Sequence, residues 1–284
     1  MKVAVLSDIH GNHIALEACI EYCLKENIKD YIFLGDYVSD NPYPQKTMEI
    51  LYDLASKYSC TFILGNREEY FINYRKSNGN YWKRGSSTGS LYYTNMNLRD
   101  KDLQFFSKLE NQSLYKLEGY PNIRICHGSL TNSRGLIYEN TKELDDTLAI
   151  LKEDYLLCGH THQALNLCIN NKHIINPGSV GVCVDYQNVA QLVVLDGTPN
   201  KWIPYFLEIP YDVDKLIQEH KESGLYELAP AWSKSVINLI QTTINHTDEL
   251  IDYVKELNNN VYEWADIPEE IWDKAIKKFN IKDL

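Results

Sequence analysis

Residues 2–10 read Lys2-Val3-Ala4-Val5-Leu6-Ser7-Asp8-Ile9-His10, a short apolar run halted by polar groups and followed by Asp-x-His. The same grammar returns twice: Tyr31 to Leu34 ends at Gly35-Asp36, and Thr61 to Leu64 ends at Gly65-Asn66. Runs this short, closed by Gly or a polar residue, predict buried β-strands. Between the first two runs, Ala15, Ala18, Cys19, Tyr22 and Cys23 recur at three- and four-residue steps, the stripe of a helix crossing back over a sheet. After the Asn41-Pro42-Tyr43-Pro44 loop, residues 47–58 predict a second such helix. The opening is therefore βαβαβ.

Further strands are predicted at Ile123 to Cys126, ending at His127-Gly128, and at Tyr155 to Cys158, ending at Gly159-His160. Closely spaced runs follow at 164–169, 173–175, 189–195 and 202–207, with turns at Asn170-Asn171 and Asp196-Gly197, so the sheet becomes mixed or antiparallel. From Asp212 the pattern is helical: 213–220, 232–244, a Thr247-capped segment through Leu257, and 268–279 with Pro268 in the first turn.

The chain has 284 residues, 44% of them apolar, with 21 Tyr and 5 Trp. That is ample surface to bury, which excludes disorder, and single domains run to about 250 residues. The net charge of -11 is uneven: residues 211–284 hold 15 acids and 8 bases, net -7, leaving -4 for the rest. An acidic chain is unsuited to extended nucleic acid or an anionic membrane surface. No stretch approaches the roughly 20 apolar residues of a membrane span, and the apolar run after Lys2 is too short for a secretory segment. Seven cysteines without Cys-x-x-Cys spacing read as reduced, mostly buried thiols, and the chain is expected in the cytoplasm.

Asp8, His10, Asp36, Asn66, His127, His160 and His162 each follow a predicted strand directly. In an open α/β sheet the carboxyl ends of strands are where ligands sit, so five segments converge on one edge. Four imidazoles, two carboxylates and one amide suit Mn, Fe, Zn or a similar ion. Seven donors exceed what one ion takes, and a carboxylate shared by two ions about 3.5–4 Å apart is the arrangement used for displacement at phosphorus. Taken singly, each motif is ordinary turn and cap chemistry.

The order D-x-H, G-D, G-N, H-G, G-H-T-H resembles the calcineurin-like metallophosphoesterase superfamily. Asn176-Pro177-Gly178-Ser179 after the last motif is similar to the compact bacterial and archaeal phosphodiesterase-type members. The resemblance covers roughly residues 1–208 and implies an α/β fold, a four-layer α/β/β/α sandwich of two mixed sheets; the helical pattern makes 209–284 an extension expected to pack on it, outside the resemblance. It also implies a dinuclear centre: Asp8, His10, Asp36 and His162 on one metal, Asp36, Asn66, His127 and His160 on the other. Asp36 bridges, and a hydroxide held between the ions attacks phosphorus. Mn²⁺ is the first expectation, with Fe, Zn, Ni, Co or Mg as alternatives. Two divalent ions bring +4 against -2 from the two Asp ligands, so a local anion site exists inside an acidic protein.

Many members carry a His after Gly-Asn, taken to protonate the leaving group; here Arg67 stands in that place. Arginine stays protonated, so Arg67 is expected to clamp phosphate and stabilise charge rather than transfer a proton. The competing reading pairs it with Glu68 or Glu69 at the surface. His13 is a substitute acid or a cap neighbour, and Asn12 touches a phosphate or caps a helix. Residues 74–98 set Arg75, Lys76, Lys83 and Arg84 among Tyr74, Tyr81, Trp82, Tyr92 and Tyr93, and include Ser86-Ser87-Thr88-Gly89-Ser90. This segment is either a lid whose Lys83 and Arg84 bind a nucleotide or a surface excursion anchored by its aromatics.

The expected activity is hydrolysis of a small phosphodiester or phosphoanhydride, such as a nucleotide or dinucleotide polyphosphate. Phosphomonoester or phosphoprotein hydrolysis is the enzymatic alternative, and a non-catalytic interaction module of the same fold is the other class. The C-terminal helices pad the sandwich, cover the rim of the site or form a subunit contact; their periodicity does not choose.

Overall fold

The computed structural model describes all 284 residues. The chain runs β1 (Lys2–Leu6), α1 (His13–Lys25), β2 (Asp30–Phe33), α2 (Pro44–Lys57), β3 (Ser59–Phe62), α3 (Asn66–Lys76), α4 (Gly89–Asn97), α5 (Asp100–Phe106) and β4 (Gln112–Tyr115). It continues β5 (Ile123–Cys126), α6 (Lys142–Ile150), β6 (Tyr155–Leu157), β7 (Ala164–Ile169), β8 (Lys172–Pro177), β9 (Val189–Thr198) and β10 (Lys201–Pro210). Five helices close it: α7 (Val213–Glu222), α8 (Leu225–Leu228), α9 (Pro230–Thr242), α10 (Thr247–Asn258) and α11 (Glu269–Lys278).

Two five-stranded mixed sheets result, ordered β10-β9-β1-β2-β3 and β4-β5-β6-β8-β7. In the first, β1, β2 and β3 are parallel and β9 is antiparallel to β1. In the second, β5, β6 and β8 are parallel, flanked by antiparallel β4 and β7. Alternation along each strand explains the layers, because successive side chains point to opposite faces. Val3 and Val5, Ile123 and Ile125, Tyr155 and Leu157, and Val193 and Leu195 meet between the sheets. Ala4 and Leu6, with Tyr31 and Phe33, face the other way, against Leu16, Met48 and Leu51 of α1 and α2. Leu156 and Ile174 likewise turn outward onto Leu144 of α6. The molecule is thus the four-layer α/β/β/α sandwich that the sequence implied.

Two differences from the expected elements have clear causes. The β9–β10 turn lies beyond Asp196-Gly197, because Gly197 pairs with Trp202 inside the ladder and the pairing runs on to Thr198 with Lys201. A Cβ at Gly197 would sit 2.4 Å from the Trp202 ring, so the glycine makes room for that indole. Helix α10 takes His246 as its N-cap, without a side-chain cap from Thr247.

The closing helices bury Leu216, Val236, Ile237 and Ile240 against Ile14 of α1 and Val182. A further cluster joins Leu250, Val254, Trp272 and Ile276. No helix is long and apolar enough to cross a membrane. All seven cysteines are free thiols; Cys19, Cys23, Cys126, Cys158 and Cys183 are buried, while Cys168 is exposed.

Candidate metal centre

The parallel strands of both sheets deliver their carboxyl ends to one edge. There the ligand atoms of Asp8, His10 and His162 lie within 4.8 Å of one another, and those of Asp36, His127 and His160 do the same. The two triads are joined through Asp36: its Oδ2 is 3.6 Å from His10 Nε2 and its Oδ1 is 3.4 Å from His127 Nε2. Asn66 Oδ1 stands 3.0 Å from His127 Nε2. All seven donors expected from the sequence therefore share one site.

Asp8, His10, Asp36, His160 and His162 have φ between +50° and +67°. The left-handed region is unfavourable for residues with a Cβ, on the order of 1 kcal/mol or more each, and is kept where the surroundings impose it. Here it turns each side chain back toward the edge directly after its strand. Close backbone approach supports this: a Cβ at Gly159 would sit 2.0 Å from Ser7 Oγ, and one at Gly65 would sit 2.2 Å from the Asp36 nitrogen. Ser7 donates to Asp8 Oδ2 at 2.6 Å, as does the His160 amide at 3.0 Å. Asn176 donates to the Gly159 carbonyl at 2.8 Å and Ser179 to the Asp8 carbonyl at 2.7 Å, so the Asn-Pro-Gly-Ser turn braces two ligand loops.

The donor chemistry fits metal ions. His162 Nδ1 lies 3.1 Å from the Val182 carbonyl and His127 Nδ1 2.6 Å from the Leu34 carbonyl. A carbonyl only accepts, so both rings carry a proton on Nδ1 and turn Nε2 toward the other donors. His10 Nδ1 is likewise held by Asp40 Oδ2 at 3.0 Å. Its Nε2 then faces that of His162 at 2.9 Å, beside an Asp8 Oδ1 that is buried without any partner. Converging lone pairs in a buried site repel unless a cation lies among them. The titration behaviour agrees. Burial would raise the Asp36 carboxyl, but His127, His10 and Arg67 hold it well below its ordinary range. Burial would lower His127, yet Asp36 lifts it to about 10, so positive charge is drawn to Nε2. Burial takes His162 down to about 4, leaving it a neutral ligand at neutral pH.

A family profile described as calcineurin-like phosphoesterase matches residues 1–164. The chain belongs to that family. It is accordingly a metal-dependent phosphoester hydrolase. A protein of Methanocaldococcus jannaschii, named uncharacterized protein MJ0912, is 25% identical over 240 residues, covering 79% of this chain and 94% of that one. The fold is shared with hypothetical protein PH1004 from Pyrococcus horikoshii OT3, at a TM-score of 0.72 and 22% identity over 86% of this chain and 99% of that one. It is shared also with a metallophosphoesterase from Sphaerobacter thermophilus, at 0.63 and 21% over 82% and 97%.

In this calcineurin-like phosphoesterase, three residues that the sequence did not single out hold the ligands in place. Glu68 is fully buried and accepts from the amides of Asp36 at 2.9 Å, Gly65 at 3.1 Å and Tyr37 at 2.9 Å, tying the second and third motifs together. Asp40, at φ +67°, receives His10, Arg67 Nη2 at 3.1 Å and the Trp232 Nε1–H at 2.9 Å. Trp232 is on α9, so the C-terminal helices reach the metal edge directly. The sequence signal for Asp40 and Glu68 was no more than nearness to the second and third motifs.

Arg67 pairs with Asp40, and not with Glu68 or Glu69; its side chain remains 23% exposed and lines the cavity above the donors. Asn12 is buried: its Oδ1 caps α1 by accepting from the Ala15 amide at 3.1 Å and its Nδ2 donates to the Gly181 carbonyl at 3.0 Å, so it braces backbone and is not placed to touch substrate. His13 is 3% exposed, lies 3.4 Å from Glu219, and lines no part of that cavity.

Lys83 and Arg84 are elsewhere. Lys83 pairs with Asp266, Arg84 donates to the Glu227 carbonyl at 3.2 Å, and neither lines the metal-side cavity. Lys83 borders a larger cavity of about 730 Å³ between the insertion and residues 263–266, which contains none of the donors. Trp82 stacks on Tyr74 at 3.9 Å between centroids, so the aromatics anchor the segment. The serine run acts as a bracket: Ser86 binds Glu269 and the Ala231 amide, Ser87 receives the indoles of Trp264 and Trp272, and Ser90 reaches Asp40. Of the two readings of residues 74–98, these contacts fit the segment anchored by its aromatics, which joins the sandwich to its C-terminal helices.

Proposed function

We propose that the chain is a dinuclear-metal phosphoesterase acting on a small phosphodiester or phosphoanhydride, in the cytoplasm, with Mn²⁺ the first candidate among Mn, Fe, Zn, Ni, Co and Mg. The observation that carries this is the pair of donor triads joined through Asp36. Asp8, His10, Asp36 and His162 would hold one ion, and Asp36, Asn66, His127 and His160 the other. When bound, such a pair supplies Lewis acidity and acidifies water at the site.

The chain's own residues do the rest. Asp36 keeps both sites ionised together, since its carboxyl stays deprotonated throughout the physiological range. Arg67 offers its guanidinium to a non-reacting phosphate oxygen, and Asp40 fixes its direction. A guanidinium cannot give up its proton to a leaving group, and the buried His13 does not reach the cavity, so good leaving groups are favoured. A leaving-group series tests this: aryl esters should outpace alkyl esters, and equal rates would contradict the role given to Arg67. A polyphosphate preference tied to Lys83 and Arg84 gains no support, because both side chains are engaged outside the cavity that His160 and His162 line.

A further inference from the structure

The cavity above the metal edge holds one guanidinium and no lysine. Its volume is about 310 Å³, and Arg67 is the sole Lys or Arg among its lining residues, already paired with Asp40 at 3.1 Å. Beyond His160 and His162 the wall passes to Val182 and Val184, then to Val236 and Leu239 of α9. At the mouth stand Leu136 and Tyr138, 49% and 36% exposed, and Asp248 at the start of α10. A first phosphoryl group meets the donors and Arg67. A second and third would meet these aliphatic side chains, the uncharged Ser235, Asn245 and Thr247, and the Asp248 carboxylate, with no cation to offset their charge. An aromatic ring in the same place would be desolvated against apolar side chains. The volume is at the small end of the roughly 300–1,000 Å³ of ligand sites.

We propose that this cavity selects a single phosphoester whose ester group is a compact apolar ring, that it excludes polyphosphates, and that Leu136, Tyr138, Val236 and Leu239 set the preference. The proposal rests on the phosphoesterase reading above and narrows its substrate class. In the reaction, water's oxygen bonds to phosphorus and the phosphorus–oxygen bond to the ring breaks. The aryloxide leaves with that bond's electron pair, and water's proton passes to solvent, so no acid is needed at Arg67.

The test compares hydrolysis of bis(p-nitrophenyl) phosphate and ATP by the Mn²⁺-loaded full chain, alongside calorimetric titration with phenylphosphonate and methylphosphonate. Expected are a kcat/KM for the aryl diester at least about tenfold above that for ATP, and phenylphosphonate binding roughly tenfold tighter than methylphosphonate. A Leu136→Lys, Asp248→Lys double variant, altering two exposed side chains, should move the ratio about tenfold toward ATP. ATP turned over faster than the aryl diester, equal binding of the two phosphonates, or an unmoved ratio in the variant would overturn the proposal while leaving the hydrolase reading standing. Turnover of neither ester, with the phosphonate preference present, would support the apolar site and overturn the hydrolase reading instead.

Discussion

Asp8, Asp36, Asn66, His127 and His160 follow parallel strands and are held largely by backbone, whereas Trp232, Val236 and Leu239, which with His160 line the cavity above them, sit on a helix attached through side chains. The inner wall is fixed by sheet register, left-handed φ values and amides aimed at carboxylates. The outer wall packs on Ile14 and Val182 and is oriented by the Trp232–Asp40 hydrogen bond, the contact between His220 Nε2 and Asn41 Oδ1 at 3.1 Å, the Lys46–Glu219 pair at 3.0 Å, and the serine bracket. Geometry imposed by ladders is rigid, while geometry imposed by single side chains can be altered one residue at a time. Chemistry should therefore reside in the first wall and selectivity in the second.

The sharpest way to break that division is Asp36→Asn. Losing the shared carboxylate should lower turnover by about a thousandfold, since metal Lewis acidity is worth several kcal/mol and each decade is about 1.4; steady-state rates at saturating Mn²⁺ check it. Asp40→Asn touches both walls, loosening His10 and freeing Arg67. A loss of roughly 10- to 100-fold in activity or metal affinity is expected, as for partners of metal ligands generally. Trp232→Phe keeps the apolar wall and removes one donor to Asp40, so KM should rise roughly threefold to tenfold with metal content unchanged. A fall in bound metal instead would place Trp232 functionally in the inner wall.

The junction between the closing helices and the sandwich should also be acid-sensitive. Burial takes His13 down to about 4, with Lys46 and Lys215 adding to it, and burial takes His220 down to about 3. Both ordinarily titrate near 6.5. The unfolded chain thus binds protons that the fold refuses, and stability present above about pH 6.5 should fall as pH drops toward 4 and below. Denaturant midpoints across that range measure it, and a His13→Asn, His220→Gln variant should flatten the slope. The smallest effect is expected for Lys83→Ala with Arg84→Ala. These exposed partners are worth under about 1 kcal/mol, so kcat/KM should stay within about twofold for every substrate.

The division between walls also decides what could be read from sequence. The donors were legible because each follows an apolar run that can only be a strand, so spacing along the chain reports position in space. β4 was missed: Gln112-Ser113-Leu114-Tyr115 is a polar edge strand whose only instruction is its pairing with β5. Asp40 and Glu68 lie next to motifs without belonging to them, and their roles appear only when His10, Arg67 and the Asp36 amide surround them. Lys83 and Arg84 looked available for phosphate because Asp266 and Glu227 lie far along the chain. The acidic surplus of residues 211–284 is partly structural: Glu219, Glu269 and Asp266 fasten the helices to the sandwich through partners that lie far away in sequence.

The central claim is that two ions share Asp36 at the strand edge. Elemental analysis of the full chain after loading with Mn²⁺ and exhaustive dialysis tests it most directly. Two ions per folded chain, falling to one or fewer in Asp36→Asn, is the result expected; one ion or none in the unaltered chain, with the fold intact by circular dichroism, would contradict it.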